Sequence, residues 1–520
     1  MTKQLTTSAI LLILAHPGTG ATAHASEEAR PDGAGAAATA APADETPATV
    51  PVDGEETETV VDEGGGPGLF EQSQAGGDSA GEASAGTQPP PSFSLNGYTR
   101  GDVYVGKVPG AKQGDTKAAY GELSLTLRTA KQSYGDGYAE VRIRHGFQGG
   151  DDPVQTSVMV REAYVNAYLG PVDLRLGKQI IVWGRADMLN PTNNLTPADF
   201  RARSPIEDDR RLGNMGARVT AHLSPVRLEG VWLPAYSATT LPTLSLPKYV
   251  SFGDPTYPSP KLQEGLGALR AHLELSAIEL SVSYLNGYAP LPGLTLANLL
   301  IQPDDPKLGQ RPSVLLSRTA YRHQVVGGDF STALGTWLAL RGEVAYRRPY
   351  DYQNRAYAPH PDLQYALGAD RTFGSLNVIV QYLGRYTFDW EKKTGTRSGP
   401  DTEILDIPYN DNAYTIASGL AEQEIAKTNQ VLFSQTARVQ HLATARLEWR
   451  LWHDTLSLSV LGFRNFTTRE WLLAPKMGYH ISDSLIAYVG AEIFYGPAGT
   501  LFGMIDQSMS AGYAELRATF

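Results

Sequence analysis

The residues best placed to do chemistry in this 520-residue chain lie between 183 and 212, where Trp183-Gly184 and the turns Asn190-Pro191 and Thr196-Pro197 precede a run of mixed charge: Asp199, Arg201, Arg203, Glu207, Asp208, Asp209, Arg210 and Arg211. A loop this long without apolar periodicity is either functional or disordered. Its Trp, Leu and Phe side chains argue for packing against something. The chemistry that suits it is the narrowing of an aqueous passage, with Asp187, Asp199, Arg201, Arg203, Asp208, Arg210 and Arg211 setting which ions pass. The competing reading is that these charges pair with one another and with arginines around them merely to rivet the loop. Signs of catalysis are thin: His323, His360, His441, His453 and His480 sit in no nucleophile context, and no His-x-x-x-His or Glu-x-x-His spacing suggests a metal. The absence of cysteine removes thiolate sites and disulfides. The expectation is a non-enzyme without cofactor or metal.

The elements that must position this loop have a period of two. Leu123, Leu125 and Leu127 alternate with Glu122, Ser124, Thr126 and Arg128, and Leu338, Leu340, Val344 and Tyr346 alternate with Arg341, Glu343 and Arg347. Successive side chains on a strand face opposite ways, so each run has one apolar and one charged face. Eighteen strands are expected, at 93–105, 119–129, 137–147, 157–168, 173–182, 213–223, 226–235, 264–275, 278–287, 318–331, 336–347, 362–371, 376–386, 433–450, 455–464, 467–481, 485–495 and 508–520; sixteen is the alternative. Tight turns such as Ser224-Pro225 and His453-Asp454 alternate with long connections at 183–212, 236–263, 288–317 and 387–432, the last with a helix-like stretch from Ala413 to Lys427. Short turns on one side, long loops on the other and an even strand number describe a transmembrane antiparallel β-barrel. A secreted β-rich lectin-like or propeller protein is the alternative, and no repeat at ~40–50 residues supports a propeller.

Strand parity predicts the lumen. Arg128, Arg142, Arg144, Arg218, Arg270, Arg341, Arg347, Arg385, Arg438, Arg446, Arg450 and Arg517 point inward against Glu122, Glu140, Glu162, Glu229, Glu274, Glu343, Glu448 and Glu515. Such a set gives a mild, salt-sensitive anion preference or cross-strand ion pairs that hold the wall together. The final strand ends on Phe520, like the closing signal that barrel-insertion machinery reads.

Residues 1–25 read as a secretory signal peptide, with Lys3 before an apolar run and Ala23-His24-Ala25 at the cut. Residues 26–91 hold fourteen acidic residues and one basic, with few bulky apolar side chains, and read as a disordered periplasmic tail. The net charge of −11 belongs to that tail, since residues 92–520, the expected barrel, carry 42 basic and 41 acidic residues.

Gly177, Gln179, Trp183, Gly184, Asn190, Pro191 and Asp199, with Gly230-Val231-Trp232-Leu233-Pro234 further on, resemble a family of uncharacterised porin-like outer-membrane barrels of Gram-negative bacteria. The resemblance spans the barrel and leaves out the tail. It implies an outer-membrane location with both termini periplasmic, contact with outer-membrane lipid and the insertion machinery, and no nucleic acid. The leading expectation is passive or gated passage of small solutes. Export of hydrophobic or lipid-like compounds with an inner-membrane pump and periplasmic export components rests on the resemblance alone; a plugged barrel acting as receptor or adhesin is the third reading.

Overall fold

The computed structural model describes residues 93–107, 114–147, 153–241, 250–300, 313–393 and 413–520. The expected signal peptide and acidic tail lie outside the described residues. In chain order the strands are β1 (Phe93–Lys107), β2 (Gly114–Thr129), β3 (Gly135–Phe147), β4 (Gln155–Leu169), β5 (Val172–Gln179), β6 (Asn214–Leu223), β7 (Val226–Leu233), β8 (Val250–Phe252), β9 (Leu266–Glu274), β10 (Ile278–Tyr288), β11 (Gly293–Leu300), β12 (Ser313–Thr319), β13 (Arg322–Leu334), β14 (Leu338–Pro349), β15 (Asp362–Phe373), β16 (Leu376–Thr387), β17 (Val439–Leu451), β18 (Leu456–Asn465), β19 (Trp471–Ser482), β20 (Leu485–Tyr495) and β21 (Ala511–Thr519). All but β8, β11 and β12 form one ring of 18 antiparallel strands, each beside its neighbour in sequence. The ring closes where β21 returns to β1, from Tyr98 opposite Thr519 to Val105 opposite Gly512. Phe520 extends this seam, exchanging backbone hydrogen bonds of 2.9 and 3.0 Å with Gly97. The sixteen-strand alternative is excluded.

Faces follow the alternation. Leu127, Val158, Leu176, Leu269, Val344, Leu367 and Leu516 stand exposed on the outside, while Arg100, Glu122, Arg142, Arg270, Glu343 and Glu515 are buried inside. An apolar exterior around a charged interior suits hydrocarbon outside and water within. Tight turns such as Gly374–Ser375, with Gly374 in the left-handed region at φ 60°, gather at the end of the barrel where β1 begins and β21 ends. The long connections gather at the other end.

Three departures from expectation have physical causes. The fifth strand stops at Gln179 instead of 182, because Ile181 and Trp183 pack inward as part of the loop. The strand expected from 318 is split: residues up to Thr319 pair with β11 in a separate three-stranded sheet, and β13 starts at Arg322. The strand expected from 433 starts at Val439, because helix α1 (Ala413–Leu432) ends just before it. That helix coincides with the helix-like stretch. Its Ala417, Ile425 and Leu432 form an apolar core with Val250, Leu294, Leu299, Val314 and Leu316 of the small sheet, at the long-loop end. A second helix, α2 (Leu501–Met509), was not expected; Thr500 caps it by accepting from Gly503 N.

Two outcomes are expected from this wall. Leu367→Arg puts a guanidinium into hydrocarbon, at a cost of ~2–4 kcal/mol near the midplane. Gln364→Arg, on the inner face of the same strand beside Asp362, costs far less in urea unfolding from lipid vesicles. Equal losses would mean that the faces are reversed. Deleting Phe520 weakens the closing seam and stops assembly, read as loss of heat-modifiable migration with synthesis intact.

Candidate functional site

Residues 180–213 leave β5 and turn into the barrel. Gly184 has φ 94°, and a Cβ there would collide with the side chains of Asn190 and Thr192. Glycine is therefore required at 184 by the Asn190-Pro191 turn, in which Asn190 Oδ1 accepts from the amides of Thr192 (3.2 Å) and Asn193 (3.1 Å). Asn190 thus builds the turn of the loop. Trp183 is 2 % exposed; its indole donates to Glu229 of β7 at 2.9 Å. Together with Ile181 and Leu195 it packs on Val231, Leu233, Leu266, Ala268, Leu285, Val325 and Ala345 of the inner wall.

The loop then bonds to strands on opposite sides of the ring. On one side, Glu343 of β14 accepts from the backbone amides of Arg185 and Ala186 and from the Thr192 hydroxyl at 3.0 Å. Arg185 itself reaches Asp329 of β13 (2.9 Å) and Glu279 of β10 (2.6 Å). On the other side, Asp209 receives Arg100 of β1 (2.7 Å) and Arg142 of β3 (2.8 Å), and Asp208 receives Arg161 of β4 (2.6 Å). A third wall sector contributes Arg446 of β17, which holds Asp187 (3.0 Å) and Glu207 (2.9 Å). Arg203 and Arg210 meet at Glu492 of β20, and Arg203 also donates to the Ser508 and Met509 carbonyls ending α2. In the ring β13 lies opposite β1, so the loop spans the lumen.

Burial alone would raise the Asp209 carboxyl, but Arg100 and Arg142 hold it below the ordinary carboxylate value. Burial raises Asp187, and Arg446 offsets this only in part.

The remaining expected residues are mostly in pairs. Arg144 meets Glu122 (2.6 Å), Arg270 meets Asp329 (2.6 Å), Arg341 meets Asp370, and Arg517 meets Glu515 (2.9 Å). Arg385 donates to the Phe433 and Ser434 carbonyls at 2.8 and 2.6 Å. Within the loop, Arg211 pairs with Asp208 (2.7 Å) and Arg201 with Asp199 (3.3 Å). Arg438 departs from its expected lumen position: it precedes β17, is exposed, and its guanidinium lies 5.4 Å from the centre of the Tyr386 ring. Arg100, Arg161 and Arg185 were not among the expected residues. The alternation Tyr98, Arg100, Asp102, Tyr104 could have revealed the first. Arg161 is hidden by a bulge, since Glu140 pairs with Glu162 but Val141 with Val160, leaving Arg161 without a partner position. No pattern in sequence marks Arg185.

Residues 124–444 match the model of a family described as protein of unknown function (DUF1302). No curated protein matches the chain. Among solved structures, the chain is similar to a BenF-like porin from Pseudomonas fluorescens Pf-5, at 12% identity and TM-score 0.48 over 83% of this chain and 98% of that one. It is also similar to OccK9 (OpdG) of Pseudomonas aeruginosa, at 10% identity and TM-score 0.46 over 82% and 97%.

Asp209→Asn leaves Arg100 and Arg142 short of an anion at a buried site, where breaking one side of an ion pair costs ~3 kcal/mol or more. The loop should then become open to protease at neutral pH while the barrel stays folded. Because the folded carboxyl titrates below its unfolded value, its contribution is present above pH ~4 and lost only as pH falls below the ordinary carboxylate range. Protease protection of the wild-type loop should therefore persist through pH ~4. Loss of protection well above that pH would contradict the assignment.

Proposed function

The chain belongs to the DUF1302 family, and from that premise we propose that it is an outer-membrane channel for small hydrophilic solutes whose bore is narrowed by residues 180–213. The family description assigns no activity, so the reading rests on the barrel itself. The observation that carries it is the loop bonded to opposite walls inside a closed 18-strand barrel with an apolar exterior and an ionised interior. Barrels of 16 to 18 strands leave an aqueous channel unless something fills it, and a charged segment across that channel decides what passes. Asp187, Asp199, Arg201, Arg203, Asp208, Arg210 and Arg211 are the proposed selectivity residues, and both termini are proposed to be periplasmic. The acidic segment 26–91 is proposed as a periplasmic spacer. Contact with the barrel-insertion machinery through the Phe520 strand belongs to the same reading.

A second reading, a receptor with an occluded lumen, is favoured by one feature. The small sheet and α1 form an apolar core at the long-loop end, above a loop already pinned on several sides. Planar-bilayer recording separates the two. Wild-type protein should show discrete conductance steps, and removal of residues 187–209 should enlarge them with strand content unchanged by circular dichroism. Gln at positions 201, 203, 210 and 211 should move the reversal potential toward cation preference. A silent wild type that conducts only after the excision would favour the receptor.

A further inference from the structure

Arg318, on β12 of the small sheet, differs from the other buried arginines. Arg100, Arg203 and Arg341, for example, each bond to a carboxylate or a carbonyl. Arg318 is only 5 % exposed, yet its Nε and Nη2 have no hydrogen-bond partner, and among the described residues it forms no ion pair. A guanidinium removed from water without an anion is costly, so the position is kept for something that supplies one. Its surroundings combine aromatic rings with the polar strand edge of Asp254 to Thr256, whose Thr256 amide donates to the Arg318 carbonyl. The Phe252 ring centre lies 5.9 Å from the guanidinium carbon, and Leu294 is its neighbour across the sheet. The Tyr257 hydroxyl interacts with the guanidinium, and the Tyr257 ring meets Tyr236 edge-on at 5.0 Å.

We propose that Arg318, with Phe252 and Tyr257, forms a binding site at the long-loop mouth for an organic carboxylate with a flat apolar body. Nε and Nη2 are the two nitrogens on one edge of the guanidinium, and that edge matches the two oxygens of a carboxylate in a bidentate fork. With no second cation beside it among the described residues, a singly charged group is favoured over phosphate. The aromatic walls accept the apolar remainder of the ligand and exclude water, which strengthens the ion pair. The site is separate from the lumen loop and does not depend on the channel reading, because binding is measured whether or not the barrel conducts.

The test is calorimetric titration of the full chain in detergent with benzoate, with benzyl alcohol as the uncharged control. Saturable benzoate binding is expected, with no binding of the alcohol. Arg318→Gln should weaken benzoate at least tenfold while heat-modifiable migration reports an intact barrel. Arg318→Lys, which keeps the charge and loses the fork, should weaken it at least threefold and serves alone if the Gln variant does not fold. Unchanged affinity in these variants overturns the proposal, as does a wild type that does not bind benzoate. Asp304 and Asp305 belong to the connection between β11 and β12 and lie outside the described residues. Benzoate binding that appears only in the Asp304→Asn, Asp305→Asn double variant would assign Arg318 to an internal ion pair and overturn the site.

Discussion

Asp209, held between Arg100 and Arg142, is the bond on which the arrangement of the interior turns. The wall formed by β1 to β4 and β21 carries Arg100, Arg142, Arg144, Arg161 and Arg517, paired with Asp102, Glu122, Glu140 and Glu515. The loop's Asp208 and Asp209 add two carboxylates to Arg100, Arg142 and Arg161 of that wall. On the opposite wall Glu279, Asp329 and Glu343 point inward beside Arg270 and Arg341, and the loop brings Arg185 and backbone amides to the three carboxylates. A loop laid the other way would take Asp208 and Asp209 away from Arg100, Arg142 and Arg161, and Arg185 away from Glu279 and Asp329, a loss that buried charges make costly.

Charge alone gives orientation more than strength, because pairing buried ions repays a desolvation cost of similar size. The cohesive part comes from Ile181, Trp183 and Leu195 against the inner faces of β7, β9, β10, β13 and β14, which are apolar at that level. Burying side chains of this kind is worth roughly 1.5–3 kcal/mol each. The division of labour explains why the loop changes character along its length: the apolar residues and the glycine-dependent Asn190 turn come first, and the ion-paired stretch from Asp199 to Arg211 then crosses to the far wall.

The barrel was legible in the sequence because a strand with oil on one side and water on the other must alternate, and eighteen stretches did so at the expected places. Loop charges were legible as a set but not as pairs, since pairing across the ring is decided by closure and stagger, which no local pattern records. Arg100 was readable by parity within β1, whereas Arg161 was not, because a bulge breaks the parity on which the reading depends. The small sheet escaped for a related reason. Residues 313–319 read Ser-Val-Leu-Leu-Ser-Arg-Thr, without the alternation of a barrel strand, so parity gives no reading of their pairing with β11 and β8.

Helix α2 joins the two ends of this arrangement. Its C-terminal carbonyls are taken by Arg203 from the loop and by Lys117 from β2, cations at the helix end where the macrodipole favours them. Its Ile505 packs against the apolar core of α1 and the small sheet, and its Phe502 meets Phe463 and Phe494 of the barrel wall. The segment between β20 and β21 therefore touches the mouth cover, the wall and the crossing loop at once. Through α2 the cover is linked to Arg203, and through Glu492 to Arg210, while Ala198 and Phe200 of the loop bond directly to Thr240 in the connection that follows β7.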